Sequence, residues 1–165
     1  MASSIPELIE VLSEKGSMME ELLRILEEEH RSIVRMDMAN LEAQAGKTTE
    51  LFVRLETSGN ISRQLMRQLA AELGLSEAAS LSLLLPMVAP PHRETLAELQ
   101  RKLLETGATL DRLMAFNGEL LHGALRTVNH SLEFFGHILN RSTTYGQAGR
   151  MLGGAPQARI ICKEI

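Results

Sequence analysis

The chain has 165 residues, enough for one domain with a real core. Hydrophobic content is 44%, which excludes a disordered chain, and aromatic content of 3% with no Trp favours helices over a β-sandwich. A net charge of −4 argues against a dedicated nucleic-acid binder, and the lone Cys162 excludes an internal disulfide.

The N-terminus carries Glu7, Glu10 and Glu14 and no basic start, so it does not read as a signal peptide. The most apolar window, Leu81 to Ala89, contains Pro86 and is too short to span a bilayer. A cytoplasmic location is expected.

Ser3 or Ser4 can cap a first helix, with Pro6 in its first turn. Steps of three and four along it land on Ile5, Leu8, Leu12, Lys15, Met19, Leu22, Leu26, Glu29, Ile33 and Met36. The acidic run Glu27-Glu28-Glu29 reads as a solvated face. Asp37 either caps a second helix or kinks a continuous one. The second stripe is Met38, Leu41, Ala45, Thr48, Phe52, Leu55, Gly59, Ser62, Met66, Leu69 and Leu73, thin in its middle. Gly74 looks like its stop. Ser76 to Leu85 reads as a short helix that plugs one end of a bundle, or alternatively as an exposed binding patch. Pro86, Pro90 and Pro91 then break the chain.

From Pro91 to Asn140 the spacing predicts one long helix, about 70 Å at about 1.5 Å rise per residue. Its seam steps through Leu96, Leu99, Leu103, Thr106, Leu110, Leu113, Asn117, Leu120, Ala124, Thr127, Ser131, Phe134 and Ile138. A helix of that length needs long partners. The expected fold is therefore all-α: an elongated antiparallel helical bundle of two or three long helices plus a short connecting helix, with a flexible C-terminal tail. The expected division is a bundle over 1–140 and a tail over 141–165. Charge marks the same border. In the tail, Arg141, Arg150, Arg159 and Lys163 oppose only Glu164, so the whole chain's −4 divides into +3 for the tail and −7 for the body. Met151, Leu152, Ile160 and Ile161 make the tail too apolar for a purely solvated terminus.

No catalytic constellation emerges, and no cofactor is expected. Glu27/His30 and Glu119/His122 have the Glu-x-x-His spacing of di-iron bundles, but by heptad phase three of these four side chains point away from the seam. His130, Glu133 and His137 share a helix flank, a pattern that long exposed helices also produce by chance. Asn117 lies on the apolar seam, where it either fixes register or faces a partner.

Several stretches together resemble the FlgN family of flagellar type III export chaperones. They are Met36-Asp37-Met38-Ala39-Asn40-Leu41-Glu42, Lys47, Leu51-Phe52-Val53-Arg54-Leu55-Glu56, Asn117-Gly118-Glu119-Leu120-Leu121 and Ser131-Leu132-Glu133. The sharpest is Thr144-Tyr145-Gly146-Gln147-Ala148-Gly149-Arg150, after the last helix. The resemblance implies binding to the C-terminal segments of hook–filament junction proteins (hook-associated proteins 1 and 3), protection from premature assembly, and delivery to the type III export gate. It implies client contacts along the end of the long helix and the tail, at Asn117, Leu121, Phe135, Ile138, Met151, Leu152, Ile160 and Ile161. It implies docking to the export-gate cytoplasmic domain at Tyr145 and Gly146. A monomer or weak homodimer is expected. Cys162 and Glu164 depart from the family's more basic terminus. Two other readings are a structural coiled-coil adaptor dimerising through the long helix, and a metal-dependent bundle enzyme.

Overall fold

A computed structural model describes residues 4–75 and 80–142, with the side chains of 141 and 142 left aside. Among the described residues there are helices and no strand: α1 (Ser4–Arg35), α2 (Met38–Glu72), α3 (Leu81–Leu84), a 3-10 turn (Leu85–Met87) and α4 (Pro90–Ser142). The chain divides into two compact units with the border between Gly118 and Glu119. The expected division after Asn140 falls close to the end of α4, and the tail beyond residue 142 lies outside the described residues.

The first unit is held by two apolar clusters. Leu8, Leu12, Leu69, Leu84, Val88 and Leu96 meet in one. Met18, Leu22, Leu26, Leu51 and Leu110 meet in the other. These groupings run α1 antiparallel to α2 and parallel to α4. Gly107 of α4 faces α1, where a Cβ built on it would meet the Met19 methyl at 3.5 Å, an ordinary contact distance. The expected plug is present in part. Leu84 is fully buried while Leu83 stays 63% exposed, and residues 76–79, with the expected Ser76 cap, lie outside the described part.

The turns follow from local chemistry. After α2, Gly74 adopts φ +72°, Leu75 N–H donates to Ala70 O and Gly74 N–H to Ala71 O. This is the left-handed helix stop that glycine favours. After α1 the same pair of bonds forms, from Asp37 N–H to Ser32 O and Met36 N–H to Ile33 O, but the left-handed residue is Met36, at φ 57°. Asp37 then caps α2 by accepting from Asn40 N–H at 3.1 Å. The choice between cap and kink is thus settled as a tight turn with a cap. At the start of α4, the Arg93 guanidinium donates to the carbonyl of Val88, which is extended and outside the helices, and to that of Pro86, four residues before Pro90, which has no N–H.

One expectation is corrected. The buried line of α2 is Gln44, Leu51, Ser58, Ser62, Leu65 and Leu69, not the stripe through Ala45, Phe52, Gly59 and Met66. Leu51 is 3% exposed and Phe52 43%. The two lines share Ser62 and Leu69, but the true seam carries polar residues at Gln44 and Ser58, so a count of apolar positions alone slips by one residue to Ala45, Phe52, Gly59 and Met66.

Candidate functional site

Asn117 sits where the first unit ends. It is 3% exposed. Its Nδ2 donates to the Leu26 carbonyl at 3.0 Å, and its Oδ1 lies 3.0 Å from His30 Nδ1. An amide oxygen only accepts, so His30 carries a proton on Nδ1. The His30 ring also stacks on Phe116, with centroids 5.3 Å apart. Burial raises the Glu29 carboxyl above its ordinary range, and a hydrogen bond from Asn117 opposes that rise. Of the two roles open to Asn117, the structure gives it the internal one. It is withdrawn from the client-facing set, because both ends of its amide are spent inside the bundle.

The second unit contributes residues 119–142 of α4. Eight large apolar side chains here are exposed: Leu121, Leu125, Val128, Leu132, Phe134, Phe135, Ile138 and Leu139. The first four and Phe135 step by four, three, four and three, which is the spacing of a coiled-coil seam. Leu139 continues it. Neighbouring positions are small or uncharged, at Ala124, Asn129, Ser131 and Gly136. A hollow of about 430 Å³ opens beside Thr127, His130, Ser131, Phe134 and Phe135. Phe134 and Phe135 meet edge to face.

Contiguous exposed apolar surface of this kind marks a binding face rather than a core. An amphipathic helix laid along it would find anchors at i, i+3, i+4 and i+7. A model of the family described as FlgN protein matches residues 1–153. The chain belongs to the FlgN family. Its members are chaperones of flagellar export substrates, so the apolar face of this FlgN chain has a class of ligand to meet. No curated protein and no solved structure matches the chain.

Of the expected client residues, Leu121, Phe135 and Ile138 lie exposed together on this stretch of the FlgN chain. Met151, Leu152, Ile160 and Ile161, with Tyr145 and Gly146, lie outside the described residues. The seam residues Leu125, Val128 and Leu132 were missed. The signal for them was in the sequence: two successive steps of four, from Asn117 to Leu121 to Leu125, shift the apolar register by one residue. Carrying the regular alternation past Asn117 instead lands on Thr127 and Ser131.

His130 Nδ1 and Glu133 Oε2 are 3.7 Å apart, both well exposed. Among the described residues no three His, Cys, Asp or Glu side chains gather so as to hold a metal ion. No described helix is long and apolar enough to cross a membrane.

Proposed function

We propose that this FlgN chain is a cytoplasmic chaperone that acts by binding alone, with no catalytic step. It holds the C-terminal segments of the hook–filament junction proteins (hook-associated proteins 1 and 3) before secretion. The observation that carries this reading is the exposed seam Leu121, Leu125, Val128, Leu132 and Phe135. An apolar client segment folds as a helix along that seam, which covers the surfaces it would otherwise use for assembly. Ordering a disordered client costs free energy, so affinity per area is modest and release is easy. The tail residues Met151, Leu152, Ile160 and Ile161 add to the client grip. Tyr145 and Gly146 dock the loaded chaperone on the cytoplasmic domain of the type III export gate. The chaperone is a monomer or weak homodimer.

Calorimetric titration with junction-protein C-terminal peptides tests the reading. Leu125→Asp/Leu132→Asp should abolish binding while helicity stays unchanged. Full affinity in that variant would sink the seam as the client site. Tyr145→Ala should spare client affinity and reduce secretion.

A further inference from the structure

A second face of the molecule, built only by α1 and α2, carries features that client binding on α4 leaves unused. Between these helices lies an open groove of about 280 Å³. Val11 and Met18 form one wall, Val53 and Ile61 the other, and Ser58 lines it from α2. Val53 is 61% exposed and Ile61 43%. Glu14 stands on the α1 rim and Arg54 on the α2 rim, yet no ion pair joins them. Glu7, Glu14 and Glu21 are exposed, seven residues apart, and unpaired among the described residues. Each lies three residues after a buried or half-buried member of the line Ser4, Val11, Met18 that packs toward α2. The rim charge therefore repeats with the period of a coiled coil.

A second observation is independent of charge. Ser58 is 8% exposed, and its hydroxyl has no hydrogen-bond partner. A dry, unpaired hydroxyl is costly, and buried polar groups are otherwise paired almost everywhere. A turn about its Cα–Cβ bond offers that hydroxyl to a group reaching the groove floor.

We propose that the α1–α2 groove is a second docking site, which takes an amphipathic helix of another protein. Its apolar stripe is flanked by Lys or Arg on the side that meets α1 and by Glu or Asp on the side that meets α2. Such a helix lies between Glu14 and Arg54 and satisfies both, where the empty groove holds them apart. Apolar anchors fill the space between Val11, Met18, Val53 and Ile61. The rim charges choose the partner, since flanking charges set pairing in helical assemblies. The site uses residues of the first unit alone, so it is separable from the seam at residues 121–139.

The test uses the full chain and three labelled 28-residue synthetic helices with Leu at both seam positions. Their flanks carry Lys on one side and Glu on the other, Lys on both, or Glu on both. Fluorescence anisotropy should show the mixed helix binding at least tenfold tighter than either uniform one, with affinity falling as salt rises. Glu7→Lys/Glu14→Lys/Glu21→Lys turns the α1 rim basic opposite Arg54 and should invert the order, so that the all-Glu helix binds best. Ser58→Leu should weaken the mixed helix tenfold at unchanged circular dichroism. Equal affinity for all three helices overturns the proposal. So does loss of the mixed helix in Leu125→Asp/Leu132→Asp, which would place the probe on α4. A chain that sediments as a dimer, and as a monomer after the triple Glu→Lys change, would put a second copy in the groove and overturn it as well.

Discussion

The side-chain amide of Asn117 donates to the main-chain carbonyl of Leu26, ninety-one positions earlier in the chain. The carbonyl lies within α1 and the amide within α4, so one polar contact fixes how the two helices slide along each other. His30 occupies the other end of the amide. Asn117→Ala leaves the Leu26 carbonyl with only its own helical partner in α1 and takes from the half-buried His30 the acceptor of its Nδ1. Leaving a buried group unsatisfied costs about 1–3 kcal/mol. Urea unfolding should show a loss in that range with an unchanged slope. Asn117→Leu should lose less stability, because it removes the polar group without removing the packing, but it gives up the register.

Met36 is the one described non-glycine residue at positive φ, and its side chain is 64% exposed. No core contact repays the left-handed strain of a residue with a Cβ, which is about 1–2 kcal/mol. Glycine removes the strain and gives back part of the gain as unfolded-state entropy. Met36→Gly should therefore stabilise the first unit by about 0.5–1 kcal/mol. A lower thermal midpoint for the variant would show that Met36 packs on something at the turn.

Burial places the Glu29 carboxyl above its ordinary pKa. The native state then holds a proton that the unfolded chain has already released at the same pH. Stability from this group is present below pH 4.5 and declines as pH rises through the raised native value. Glu29→Gln keeps an acceptor for Asn117 and removes the charge. It should be more stable than the parent at pH 7 and equal to it at pH 3.5, as read from urea midpoints. A variant less stable at pH 7 would mean the carboxylate's attraction to its neighbours outweighs its burial.

The fold was legible where the seam is apolar. Ile5, Leu8, Leu12, Leu22, Leu26, Leu96 and Leu110 are buried as the spacing in α1 and α4 requires. The stop at Gly74 follows from its chemistry alone, whereas Asp37 left a cap and a kink open until the Asn40 N–H contact decided for the cap. The register of α2 was legible only at Ser62 and Leu69, because Gln44 and Ser58 hold seam positions and an apolar count passes over them. Leu51 and Phe52 decide between the two registers. Leu51→Ala should cost about 2–5 kcal/mol, as for a buried leucine, and Phe52→Ala well under 1 kcal/mol. The opposite ranking in thermal unfolding would restore the stripe through Phe52.

The same one-residue ambiguity returns on the face of α4 proposed for the client. A seam carried past Asn117 by regular alternation puts Ser131 on the binding line, whereas the exposed apolar residues put Leu132 there. Side chains one position apart point about 100° away from each other around a helix. A client helix cannot rest on both. Leu132 is 60% exposed, so its truncation leaves the free chaperone intact and removes only what the client would cover. Full burial of a leucine by a partner contributes about 1.5–3 kcal/mol. Leu132→Ala should accordingly weaken a junction-protein C-terminal peptide by roughly ten- to a hundredfold with no change in unfolding. Ser131→Ala should leave the affinity within about twofold. If the serine change weakens binding and the leucine change does not, the client lies along Leu120, Ala124, Thr127 and Phe134, and the register proposed for the site is wrong.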